Sequence, residues 1–542
     1  MPDMPASGSP SLARRTVLAG GAGLAATLAT PSLSRAQRRD PRVLRFVPNT
    51  GLTVLDPVWT ASLVTGNHGY HVWDTLYGTR ADYSAAPQMA EGHTVDSDYR
   101  NWTIRLREGL LFHDGTPVRG VDCVASIKRW ARRDSFGAAM MRVVDEIDAP
   151  DDRTIRFRFK RRFPRLLTAL GRTSGLPAFI MPARFGDVDA FTAIKEVVGS
   201  GPFRFVADEF NPGSKVVYAR FEKYVPRQDA PDRTAGAKVA YFDRVEWTTM
   251  SDHGTAVAAM QAGEMDWWES TPADLRPLVD RAANLVLEVK DPFGWMGVLR
   301  FNHLNPPFNN IKLRRAILQA VNQADYMRAG AGDGDQAWRT CRAYFPCGAP
   351  DVTETAGTAA MPMPEDLTAA KKAIAQSGYN GERIVLLVPT DIHHHNAFGQ
   401  VSGDLLRRLG MNVDFQAMDW GTMIQRTTNR GPVESGGWSL YHTAGSNVTM
   451  ASPAMSFFIR GMGQKGWTGW YEKPEIEALT QEWLDTSPEE PQQPIYDKIQ
   501  QILFDDPPLV PLGQYTTFTT YNRGITGILP GIGSYPWNVR RV

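Results

Sequence analysis

What most limits the folds open to this chain is that its hydrophobic period keeps changing between two values. Apolar and polar residues alternate at the two-residue period of a half-buried strand over 102–106, 154–159, 215–219 and 383–388. Apolar residues recur three and four apart, the helical period, over 313–321, over 367–377 before Gly378, over 397–409 before Gly410, and over 494–504. Elements of both kinds interleaved along one chain predict α/β lobes. The 542 residues are enough for two or three domains at roughly 100–200 residues each. The stretch 347–366, rich in Pro, Gly, Ala and Thr, reads as a long surface connection.

The stretch LAGGAGLAATLAT at 18–30 follows the pair Arg14 and Arg15. It is too short for a bilayer core, which needs about 20 apolar residues, and Gly20, Gly21 and Gly23 weaken it as a helix. A basic pair, a short apolar run and then Ser34-Arg35-Ala36 form the order of an export signal, with cleavage expected after Ala36. The segment resembles a twin-arginine signal, with Val17 in place of the usual aromatic and Ala19 in place of the usual lysine. The mature chain is therefore expected in the periplasm, with no membrane span. Lipid attachment is disfavoured because no cysteine stands near the cut.

Cutting after Ala36 leaves 506 residues and removes three arginines and one aspartate, so the formal charge moves from +1 to −1. A nearly neutral chain lacks the basic face that nucleic acid requires. The basic run 156–162 alternates with aromatics, the mark of a half-buried strand with a solvated face. Of three cysteines, Cys341 and Cys347 are placed to close a short loop in an oxidising compartment, whereas Cys123 reads as a small buried apolar residue. There is no second cysteine pair to make a zinc site. His393-His394-His395 just precedes a helical stretch and reads as a solvated loop ahead of any metal site, since three consecutive imidazoles cannot all face one ion in regular structure. No dinucleotide fingerprint, P-loop or nucleophile elbow occurs, so no cofactor and no catalysis are expected. Asp208-Glu209 and Asp505-Asp506 read as exposed turns rather than hydrolytic pairs.

The segment NWTIRLREGLLFHDGTPVRGVDCVASIKRW at 101–130 reads as a strand, a turn at Glu108-Gly109, a short apolar strand at 110–112, a second turn at 113–115, and a helix beginning near Asp122. It resembles the signature segment of the family-five extracytoplasmic solute-binding proteins, which serve ABC importers of dipeptides, oligopeptides and nickel. Four further stretches agree in order: VGSGPFRF at 198–205, AAMQAGEMDWWE at 258–269, LRFNHLNPPFNNIKLRRAILQAVN at 299–322, and IQQILFDDPPLVPLGQY at 499–515.

The resemblance implies an α/β Venus-flytrap of the cluster C type, two lobes with a hinge plus an extra smaller domain. Lobe I would take 37–72, 199–298 and 510–542, the extra domain 73–198, and lobe II 299–509. It also implies a small-molecule solute held between lobes, an ABC permease and ATPase complex as partner, and a monomer. In peptide-binding members a Gly-Trp-x-x-Asp motif sets an aspartate against the ligand's amino group. Here Trp438 matches the aromatic wall but Tyr441 stands at the aspartate's place, and a phenol at neutral pH carries no charge. This disfavours an ordinary peptide with a free amino terminus, and the expectation shifts to a neutral or polyhydroxylated ligand, an N-blocked peptide or another peptide-like or small organic solute held by Trp438, Tyr441, His442 and Asn447. A metal chelate reached by His442 or His68 is the alternative, and a secreted hydrolase the lower one. Thr65, Asn67 and His68 fall in a segment that reaches the cleft in relatives. Trp268, Trp295 and Trp420, with neighbouring Trp267, are further aromatic candidates for stacking.

Overall fold

The computed structural model describes residues 40–334 and 336–542. The expected export signal and its cleavage point lie outside the described residues. Three sheets organise the unit that spans 42–542. The first has seven strands in the order Leu285–Val289, Phe518–Asn522, Trp267–Trp268, Val43–Val47, Arg244–Thr248, Lys215–Arg220 and Phe203–Phe205. The second has six, in the order Trp338–Arg339, Leu509–Tyr515, Trp295–Phe301, Leu440–Ser446, Ile384–Pro389 and Val413–Met418. A smaller antiparallel sheet of four strands is built from Ala90–Val95, Asn101–Leu106, Thr154–Phe159 and Val144–Asp151.

The chain passes from the first large sheet to the second at 290–294 and returns at 516–517. Strand directions then follow. Val43–Val47 is parallel to Arg244–Thr248 and to Trp267–Trp268, and both Trp267–Trp268 and Leu285–Val289 are antiparallel to Phe518–Asn522. All four run the same way, and Leu285–Val289 leads straight into the first crossing. In the second sheet Ile384–Pro389 is parallel to Val413–Met418 and Leu440–Ser446, which is antiparallel to the strand Trp295–Phe301 that leaves the crossing. The parallel strands of both sheets thus direct their carboxyl ends toward the crossings.

Local chemistry explains most elements. Thr154–Phe159 buries Ile155, Phe157 and Phe159 while Arg156 and Arg158 pair with Asp148, Asp145 and Glu146 outside. Helix Gly120–Ala131 is capped by Asp122, whose carboxylate accepts from the Arg119 N–H at 2.8 Å and the Ala183 N–H at 2.7 Å. Helix Thr368–Ser377 ends on Gly378 at φ 91°, the left-handed cap that glycine reaches without a Cβ clash. The stretch 198–205 needs its first glycine for proximity: a Cβ on Gly199 would lie 1.8 Å from the Val72 carbonyl oxygen.

Two expectations are corrected. Residues 110–112 make a single bridge from Leu111 to Pro117 rather than a strand. The helix expected at 397–409 begins four residues earlier, as His393–Arg408, so the three histidines form its first turn and not a solvated loop. His395, Phe398, Ser402 and Leu406 are spaced three and four apart and all buried, so His395 occupies a core position of the helix. Cys123 is buried, and Cys341 and Cys347 are joined as a disulfide with Cα atoms 5.8 Å apart. Among the described residues no helix is long and apolar enough to cross a membrane.

Candidate functional site

In open α/β sheets ligands bind outside the carboxyl ends of the strands, where chain direction changes. Here two such ends face the same crossings, which defines a cleft floor on each lobe. On the first lobe the floor is a buried polar knot. The Glu269 carboxylate accepts from Lys290 Nζ at 2.8 Å, Asn67 Nδ2 at 2.7 Å, the Asn49 N–H at 2.9 Å and Ser534 Oγ at 3.0 Å. Burial alone would raise its pKa, but the Lys290 ammonium and the other donors hold it below the usual range. Lys290 is the first residue of the crossing, so the knot ties the hinge to the lobe.

On the second lobe the floor carries aromatic rings and helix N-termini. Helices His393–Arg408, Trp420–Thr427 and Asn447–Met450 each begin at the carboxyl end of a strand. Tyr515, His394, His395 and Trp420 stand in a row with successive ring centroids 4.9, 5.0 and 5.1 Å apart. Neither ring nitrogen of His395 has a hydrogen-bond partner among the described residues. Burial, reinforced by His394 and His442, drives its pKa well below 6.5, so the ring is neutral. A cavity of about 400 Å³ lies beside the crossings, between Val289, Pro292 and Phe293 on one side and Trp338, Tyr515 and Thr516 on the other.

The residues singled out from sequence divide by position. Asn447 sits at the crossing: its backbone N–H donates to Gly294 O at 2.9 Å, its Nδ2 donates to Phe293 O, and its Oδ1 is unpartnered among the described residues. Trp295 opens the strand that leaves the crossing and is half-buried, and Trp420 ends the ring row. Asn67 belongs to the polar knot, and Trp268 is buried at the carboxyl end of its strand. Thr65 and His68 are buried on the same helix as Asn67: Thr65 Oγ1 donates to Val54 O at 3.0 Å, and His68 Nδ1 lies 2.9 Å from Tyr218 Oη.

Trp438 and Tyr441 lie apart from this group, toward the start of Leu440–Ser446, with rings 5.0 Å apart in a cluster with Val385, Leu387 and Met423. Trp438 Nε1 donates to Thr427 O at 3.0 Å, and Tyr441 Oη lies 2.9 Å from Thr468 Oγ1. His442 turns to the opposite face, its Nε2 2.9 Å from Ser402 Oγ, with burial lowering its pKa to about 3. Among the described residues no group of three or more His, Cys, Asp or Glu is arranged to hold a metal ion. Glu209 pairs with Arg244 and Lys215, and Asp506 with Arg314 and Lys473, so these carboxylates are engaged in ion pairs.

Sequence reasoning missed Asp291, Arg233 and Tyr83, which meet beside the crossing. Asp291 precedes Pro292 and Arg233 lies in PDRTAG, so both looked like ordinary turns. Contacts between distant segments also escaped it. Ser174 Oγ lies 2.6 Å from Ser446 Oγ and accepts from Thr449 Oγ1 at 2.7 Å. Arg165 reaches Trp483 O at 2.8 Å and Gln492 Oε1 at 2.6 Å, with its guanidinium 3.6 Å from the Trp483 ring centre.

Comparison with known proteins agrees with this architecture. Residues 84–467 match the model of the bacterial extracellular solute-binding proteins, family 5. The chain is 35% identical over 536 residues to a "probable peptide ABC transporter periplasmic-binding protein" of Sinorhizobium fredii, covering 98% of this chain and 100% of that one. Its fold is similar to that of AgaA from A. tumefaciens R10 in complex with agropinic acid, at a TM-score of 0.78 and 20% identity over 92% of this chain and 99% of that one. It is also similar to DppA from Helicobacter pylori in complex with the peptide STSA, at a TM-score of 0.75 and 21% identity over 92% and 98%. The fold is that of the periplasmic binding proteins, and the chain belongs to the bacterial extracellular solute-binding proteins of family 5.

Proposed function

We propose that this chain is the periplasmic component of an ABC importer that encloses a peptide-like organic solute between its lobes and presents the closed form to a permease and ATPase complex. The observation that carries the reading is the pair of cleft floors facing two chain crossings, in a chain 35% identical along its length to a peptide-importer component. The twin-arginine-type segment at 1–36 supports export. Lobe I takes about 37–72, 199–289 and 518–542, the extra domain 73–198 and lobe II 295–515, because Trp295–Phe301 and Leu509–Tyr515 belong to the second sheet. The protein acts as a monomer without cofactor, and the solute is held rather than transformed.

Asn447, Asn67, Trp295, Trp420 and Trp268 are the candidates nearest the crossings. Trp438, Tyr441 and His442 stiffen lobe II beneath them, and Thr65 and His68 do the same in lobe I. Native mass spectrometry of freshly isolated protein, followed by calorimetric titration with the solute it carries, is expected to give one site per chain. Recovery of a chemically altered solute, or no binding by peptides and amino-acid conjugates, would contradict the reading.

Arg165 is proposed as a closure latch, since it joins the extra domain to lobe II by two charged hydrogen bonds worth about 1.5–3 kcal/mol each. Arg165→Ala is expected to raise the open population and weaken apparent affinity by on the order of a hundredfold or more without touching the solute. Small-angle scattering should show a larger ligand-free radius of gyration; unchanged scattering and unchanged affinity would remove the latch.

A further inference from the structure

Tyr83, Arg233 and Asp291 come from three separate parts of the chain and meet beside the first crossing. Asp291 is 1% exposed and Arg233 7% exposed. Asp291 Oδ1 accepts from the Phe293 N–H at 3.3 Å and from Tyr83 Oη at 3.5 Å, and Arg233 Nη2 stands 3.9 Å from it. Arg233 Nη2 also donates to Tyr83 Oη at 3.1 Å, with its guanidinium carbon 4.1 Å above the Tyr83 ring centre.

Two buried polar atoms are left over. Asp291 Oδ2 and Arg233 Nε have no hydrogen-bond partner among the described residues. An orphaned buried acceptor and an orphaned buried donor in one cluster are costly, because each has lost its water without replacement. Burial pushes the Asp291 pKa up, and Arg233 only partly offsets it.

The backbone is also unusual there, with Arg233 at φ 51° and Tyr83 at φ 66°, both in the left-handed region that non-glycine residues seldom occupy. Such conformations persist where surrounding structure over-determines them, and they cluster at ligand clamps. Phe293, whose ring packs 5.0 Å from that of Tyr83, also lines the cavity beside the crossings.

We infer that Asp291 and Arg233 form the subsite for an α-ammonium group and its adjacent carbonyl, the free amino end of a peptide-like solute. The ammonium donates to Asp291 Oδ2, the carbonyl oxygen accepts from Arg233 Nε, and Tyr83 braces both side chains. Like-charge repulsion between the ammonium and Arg233 is offset because the carboxylate lies beside both. The inference rests on the proposed capture of peptide-like solutes and names the residues that would select among them.

The test is competitive binding of a mixed tri- and tetrapeptide library with free amino ends against the same library N-acetylated. The wild type is expected to prefer the free library at least tenfold. Asp291→Asn should abolish that preference while leaving affinity for the acetylated library within twofold, and Arg233→Gln should weaken both libraries. A wild type that does not discriminate, or a folded Asp291→Asn protein that keeps the tenfold preference, overturns the inference while leaving peptide capture intact. Should Asp291→Asn not fold, Tyr83→Phe must reduce the preference threefold or more, and an unchanged preference overturns the inference equally. If neither library binds the wild type, peptide capture itself fails and the subsite falls with it.

Discussion

Replacing Glu269 by alanine is expected to cost about 3–5 kcal/mol of folding stability, a large share of the roughly 5–15 kcal/mol that a folded protein commands. Removing the carboxylate strands the Lys290 ammonium, whose other contact is the Ile532 carbonyl at 3.0 Å, and leaves Asn67 Nδ2 and Ser534 Oγ without the acceptor they share. An uncompensated buried charge is what makes the loss so large. The double replacement Glu269→Leu with Lys290→Met removes both charges and is expected to recover most of it. A double-mutant cycle by urea unfolding checks the assignment, with a coupling of several kcal/mol expected. A Glu269→Ala protein within about 1 kcal/mol of wild type would show that the knot does not hold the crossing.

Acidification from pH 7 to pH 5 is expected to remove at least about 6 kcal/mol of stability, far above where most carboxylates titrate. His68, His71 and His442 are buried, and burial is the largest cause of their pKa values falling from 6.5 to about 3. Within the window from pH 6.5 to pH 3 the unfolded chain binds a proton at each of these positions that the folded chain refuses. The slope of unfolding free energy with pH is therefore positive, so stability is lost as pH falls, about 2 kcal/mol per histidine by pH 5. Asp291 works in the opposite direction, because a raised carboxyl pKa is relieved by protonation. Glu269, with its lowered pKa, adds its own loss only at still lower pH. Urea unfolding at pH 7 and pH 5 measures the effect, and His442→Gln should shrink the difference by that histidine's own share, about 2 kcal/mol. A stability flat across these two pH values would contradict neutral burial of the histidines.

The elements visible in the sequence were those in which hydrophobic period and local chemistry agree. Thr154–Phe159 alternates aromatics with arginines and forms as expected, and helix Thr368–Ser377 stops at Gly378. The start of His393–Arg408 was hidden because three histidines count as polar, although His395 fills a core position once its ring is neutral. The resemblance singled out Trp438 and Tyr441, but which end of Leu440–Ser446 faces the crossings is decided by its antiparallel pairing with Trp295–Phe301. That pairing joins residues about 140 positions apart and leaves no local trace. The meeting of Tyr83, Arg233 and Asp291 is harder still, since buried polar residues in loops carry no period and each looks like a turn in isolation.

The central claim is that two lobes swing about the crossings and close on a solute held between them. Small-angle scattering of the purified protein, before and after saturation with the solute that copurifies with it, measures this directly. The account predicts a smaller radius of gyration on binding at one solute per chain. Saturable binding that leaves the radius of gyration unchanged from the ligand-free protein would contradict it.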